Sequence, residues 1–167
     1  MMEKHLHDWF RDAHAMEQQA EKMLKAQAGR LESYPELRRR IEEHLRETQH
    51  QSERLEHCMA LMNIDTSILK DIGAKASAFG QAISGVMASD EVLKGSIACY
   101  AFENFEIANY KVLIKAAQVL KQEEVARICT EILQEEQAMA DWLSQHLEDT
   151  TQRFLERSES DELRSKS

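Results

Sequence analysis

The sequence predicts an all-α chain folded as a four-helix bundle, and three observations carry that prediction. One proline and five glycines leave few places where a helix must stop. Ala, Leu, Glu, Gln, Lys, Arg and Met, the strongest helix formers, dominate the composition. Apolar residues recur at steps of three and four over four separate stretches, the spacing of an amphipathic helix. The bundle is expected over residues 1–152, with a long crossover holding a short extra helix between the second and third helices. A charged, Ser-rich tail over 153–167 is expected to be disordered.

The first helix is expected from about Lys4 to Gly29, with Leu6, Phe10, Ala13, Glu17, Ala20 and Leu24 on one stripe. Ser33, Pro35 and Glu36 read as a capping box that starts the second helix, which extends to about Asn63. Leu37, Ile41, Leu45, Thr48, Leu55 and Met59 or Met62 are its inward positions. Arg40, His44, Glu47, Gln51, Arg54 and Cys58 form a row beside them. Residues 63–89 are weakly patterned, with a short helix expected over 74–87, and are long enough for a crossover along the bundle. Ser89 is expected to cap the third helix, which runs to about Leu120 with Leu93, Ile97, Tyr100, Glu103, Ile107, Tyr110 and Ile114 inward. After a turn near Lys121, the fourth helix turns Val125, Ile128, Ile132, Met139, Leu143 and Leu147 to the core.

A formal charge of −9 argues against nucleic acid or an anionic membrane surface as partner. Cys58, Cys99 and Cys129 form no Cys-x-x-Cys and read as reduced thiols. The Met-Met-Glu-Lys-His start lacks an apolar signal segment, and no run is long enough to span a bilayer, so a cytoplasmic protein is expected.

Function is signalled by carboxylates on stripes that ought to be apolar. Glu17 stands in the middle of the first stripe and Glu103 in the middle of the third, with Glu106 one turn on. On the fourth helix Glu135 and Glu136 both fall where the stripe should continue; Glu136 fits the steps from Ile132 to Met139 better. On the second helix Glu47-Thr-Gln-His50 puts a carboxylate and an imidazole on neighbouring turns, where they can grip one ion. Each signal has a competing reading as an edge residue reaching solvent or a neighbouring salt bridge, and His14, His44 and His57 read as surface or boundary histidines. Taken together, five or six buried glutamates cost several kcal/mol per ion without a cation. A Glu from each of two helices plus Glu-x-x-His motifs on the others is the plan of ferritin-like di-iron bundles. A carboxylate-rich shell favours iron, with manganese as the alternative, over zinc.

Asp12-Ala-His-Ala-Met-Glu17-Gln, Ser33-Tyr-Pro-Glu-Leu, the stretch from Glu43 to Glu56, Glu103 to Tyr110 and Leu133 to Gln137 resemble the YciE/YciF family of ferritin-like bacterial stress proteins. The resemblance covers roughly Leu6 to Leu147. It implies a four-helix ferritin-like fold, a homodimer, induction under stress and a dinuclear metal centre similar to that of rubrerythrins. By that likeness Glu17, Glu47, His50, Glu103, Glu106 and Glu136 are ligands to two metal ions, with Glu47 and Glu136 bridging. The chain departs from the rubrerythrin pattern on the fourth helix, where Met139 (or Ala138, if Glu135 is the ligand) replaces the second histidine and Glu106 is the substitute. Rubredoxin-type cysteine knuckles are absent.

The expected function is therefore a dinuclear centre that oxidises Fe(II) with a small oxidant, oxygen or peroxide, with Tyr100 or Tyr110 as an electron source. A metal-holding module without turnover, and a helical stress protein acting through protein contacts, are the alternatives.

Overall fold

The computed structural model describes residues 1–65 and 92–165, the last three without their side chains. They form four helices, α1 (Met2–Ala28), α2 (Pro35–Leu61), α3 (Val92–Val119) and α4 (Glu123–Ser165), and no strand occurs among the described residues. The architecture is the all-α four-helix bundle that the sequence predicts. Ser89 and the short helix expected over 74–87 lie outside the described residues.

Pairings fix the topology. α1 and α2 run antiparallel, since Glu21 meets Gln49 while His14 meets Glu56. α2 and α4 also run antiparallel, with Gln51 on Glu135 and Glu36 near His146. α3 packs closely on α4, from which it is separated by a tight turn. α2 and α3 are therefore parallel, so the chain leaves α2 at one end of the bundle and begins α3 at the other.

Local chemistry sets the helix ends. α2 and α3 both close with a 6→1 backbone bond, Ile64 N–H to the Met59 carbonyl (2.9 Å) and Gln122 N–H to the Ala117 carbonyl (2.8 Å). Asn63 (φ 54) and Lys121 (φ 56) supply the left-handed residue each closure needs. Asn takes that conformation readily, and Lys121 does so on an exposed turn. The capping box expected at Ser33 does not form. Pro35, with its fixed φ and missing N–H, takes the first helical position, so the cap falls on Tyr34, which makes no side-chain cap bond. The charged stretch from Arg153 continues α4 as helix to Ser165.

Two stripes differ in phase from expectation. On α2 the buried row is Leu37, Ile41, His44, Thr48, Gln51, Leu55 and Cys58, with Leu45 only partly buried. On α3 it is Val92, Cys99, Phe102, Glu103, Glu106, Tyr110, Leu113 and Ala117, leaving Ile97 and Tyr100 exposed. α3 carries apolar residues nearly all round, so hydrophobic periodicity alone does not fix its inward face. The core is apolar at one end, where Leu6, Phe10, Leu55 and Met59 are fully buried, is interrupted by a polar layer at mid-height, and mixes apolar side chains with the buried Gln27 and Ser96 toward the other end. All three cysteines are free and buried, and among the described residues no helix is long and apolar enough to cross a membrane.

Candidate metal centre

Glu17 from α1, His44 from α2, Glu103 and Glu106 from α3 and Glu136 from α4 are each no more than 1% exposed. In the absence of any bonding partner, burying that many ionisable groups is strongly unfavourable. One ligand atom from each of His44, Glu103, Glu106 and Glu136 lies within 4.8 Å of the others, a group compact enough to hold a metal ion. Glu17 adjoins it through its electrostatic contact with Glu106 and Glu136.

His44 is the pivot of the group. Its Nδ1 lies 2.7 Å from Glu47 Oε2, and its Nε2 lies 3.1 Å from Glu103 Oε2 and 3.4 Å from Glu136 Oε2. Glu47, itself 37% exposed and held by Arg40 at 3.3 Å, thus accepts the Nδ1 proton and turns Nε2 inward. A carboxylate behind a histidine is the usual device for fixing which ring nitrogen can ligate. Nε2, both oxygens of Glu106 and of Glu136, Oε2 of Glu103 and Oε2 of Glu17 make no well-directed hydrogen bond. Seven buried atoms without a well-directed hydrogen bond converge from four helices and fit a cation, because oxygen and imidazole donors so placed in a dry core are what a metal would satisfy.

Protons compensate the group when no cation does. Burial, reinforced by the charge of Glu136, pushes Glu17 well above the usual carboxylate range despite the Tyr110 hydroxyl that donates to its Oε1. Burial and the neighbouring carboxylates push Glu106 the same way, and Glu136 rises to about 8. Burial alone would lower His44, but Glu103, Glu136 and Glu47 outweigh it and hold the ring well above its ordinary value. Glu47 moves the other way: burial raises it, yet His44 and Arg40 bring it below the usual range.

Four of the sequence-derived candidates, Glu17, Glu103, Glu106 and Glu136, come together. The other three stand outside the group. His50 is 74% exposed and faces Glu53 at 3.4 Å. Glu135 is 32% exposed, paired with Arg54 and accepting from Gln51 Nε2 at 2.9 Å. Glu47 reaches the group only through His44. The imidazole that the structure places among the carboxylates is His44, contrary to the expectation of a boundary residue, and His14 is likewise buried, bonded to Glu56 at 2.9 Å. His44 was missed because histidines stand three residues on either side of Glu47, so the motif reads equally well in both directions. The signal that separates them is the Ile41, His44, Thr48, Gln51, Leu55, Cys58 row, whose alternating steps of three and four pass through His44 and leave His50 outside. Met139, at the position of the missing second histidine, is fully buried.

The sequence profile of a family described as a domain of unknown function (DUF892) matches residues 1–156. The structure is similar to the crystal structure of protein XCC3681 of Xanthomonas campestris pv. campestris, with 42% identity, TM-score 0.79, and coverage of 95% of this chain and 99% of that one. It is also similar to the crystal structure of the Escherichia coli stress protein YciF, with 22% identity, TM-score 0.78, and coverage of 91% and 98%.

Proposed function

The chain belongs to the DUF892 family, and from that premise we propose that it is a stress-related ferritin-like protein whose buried carboxylate–histidine layer binds two metal ions, iron before manganese. The observation that carries this reading is the convergence of buried inward atoms without a well-directed hydrogen bond on His44, Glu17, Glu103, Glu106 and Glu136. His44, Glu103, Glu106 and Glu136 would hold one ion, and Glu17, with the free oxygens of Glu106 and Glu136, would contribute to a second. Bound iron would supply one-electron chemistry toward oxygen or peroxide. The protein's own part is to keep water out, since every one of these groups is buried, and to hold the His44 ring through Glu47. Tyr110, buried and donating to Glu17, anchors that carboxylate on the α1 side and is better placed than the exposed Tyr100 to act as an electron source. The reading places the chain on the YciE side of the YciE/YciF family, in the cytoplasm, without nucleic-acid or membrane partners. The uncovered apolar residues of α3, Ile97, Val112 and Val119, support a homodimer.

A metal-holding module without turnover is the second reading, favoured by the single histidine in the group. Anaerobic reconstitution with Fe(II) followed by oxygen or peroxide separates the two. Repeated Fe(II) oxidation that Glu103→Gln abolishes selects the first, and stoichiometric metal without turnover selects the second. Protein that takes up no metal overturns both.

A further inference from the structure

The proposed ligands are 0–1% exposed, so a cation arriving from water must pass through a wall of the bundle. One wall is suited to it. A surface groove of about 680 Å³ runs along α2 beside α4, lined by the four carboxylates of Glu43, Glu47, Glu53 and Glu135, by His50, and by the two guanidiniums of Arg46 and Arg54. Glu47 belongs to both regions: it borders the groove and touches the buried His44. Beside it the fully buried Gln51 gives its Nε2 to Glu135, a groove residue, while its Oε1 has no partner, an unused oxygen donor just behind the groove. Two guanidiniums close the path. Arg54, 28% exposed, pairs with Glu135, and Arg40 holds Glu47. Partly exposed ion pairs of this kind are weak and open readily. By contrast, the apolar groove at Trp9, Val112 and Val119 offers a hydrated cation little, with Lys111 and Lys115 on its rim. The depression around Glu148 and Glu156 is acidic, but none of its lining residues belongs to the buried group.

We propose that a divalent cation reaches the buried centre through the α2–α4 groove, past Glu47 and the Gln51 amide oxygen, and that the Arg54–Glu135 pair is the barrier it displaces. The inference rests on the metal-binding reading above, but it concerns the rate of loading, whereas that reading concerns the final occupancy.

The test is stopped-flow uptake of Co(II) by the metal-free protein, read from the ligand-field absorption of the bound ion, with elemental analysis of the end point. The Glu43→Lys, Glu53→Lys double variant reverses charge in the groove without touching the centre. It is expected to slow uptake by about tenfold, the lower range of electrostatic steering, with unchanged final stoichiometry. Glu148→Lys with Glu156→Lys makes the same charge change elsewhere and is expected to leave the rate within about twofold. Arg54→Gln is expected to speed uptake severalfold. Equal slowing by both double variants, or by neither, overturns the route, and an unchanged rate in Arg54→Gln overturns the barrier. Absence of bound Co(II) at any time in the unsubstituted protein overturns the metal reading itself.

Discussion

Leu55 and His44 lie on the same face of α2, about three turns apart, and both are fully buried. Leu55 sits in an apolar end layer with Phe10 and Met59, where removal from water is favourable whatever the conditions. His44 sits among Glu103, Glu106 and Glu136, where removal from water is unfavourable until protons, ion pairing or a cation offset it. Equal burial thus marks opposite energetics: one layer holds the bundle together, and the other is kept in spite of its cost. The helices are continuous through both, so the end layers can bear the strain of the middle one.

Substitutions break this comparison most sharply, because their expected effects differ in sign. Leu55→Ala is expected to cost about 2–5 kcal/mol in denaturant unfolding, with or without metal. Glu106→Gln removes a buried carboxyl crowded by Glu136, Glu17 and Glu103, and is expected to leave the metal-free protein as stable or up to about 2 kcal/mol more stable. The same variant is expected to lose the rise in melting temperature that metal gives the parent. If Glu106→Gln destabilised the metal-free protein as Leu55→Ala does, the middle layer would be ordinary structure.

Acidity sharpens the contrast. A carboxyl with a raised folded-state pKa holds its proton more tightly folded than unfolded. Its stabilisation is complete below the unfolded value near 4.5 and is lost as pH rises through the folded value, about 8 for Glu136. Glu17 and Glu106 shift in the same direction. Metal-free protein is therefore expected to melt lower at pH 9 than at pH 6, by roughly 5 °C or more, given about 2–4 °C per kcal/mol for a chain of this size. Loading with Mn(II) is expected to flatten that dependence, and Leu55→Ala to leave its slope unchanged. A modest loss is expected of Tyr110→Phe, which removes the donor to Glu17 and is expected to cost about 1–2 kcal/mol without metal.

The fold was legible in the sequence because it depends on composition and on four separate periodic stretches, and neither needs the exact phase of a helix. The carboxylates were legible for a related reason: Glu17, Glu103, Glu106 and Glu136 interrupt otherwise apolar runs, and a charge inside such a run needs an explanation. Phase was the difficulty. α3 is apolar on nearly every side, so Ile97 and Tyr100 looked as inward as Phe102 and Leu113. On α2, anchoring the stripe at Leu45 turned His44 to its edge, although Leu45 is only partly buried. The Glu47–His50 pairing then drew attention to a histidine that faces solvent. The role of Glu47 behind His44 depends on a contact between side chains, and i, i+3 spacing in either direction looks the same in a sequence.

The proposed role of the buried middle layer is to hold metal. Elemental analysis after anaerobic Fe(II) reconstitution of tag-free protein, paired with the change in melting temperature, tests it most directly. About two irons per chain, the complement of a dinuclear bundle, with a rise in melting temperature that Glu103→Gln and Glu136→Gln abolish, is the result this account predicts. No retained iron or manganese, with a melting temperature that neither ion moves, would contradict it.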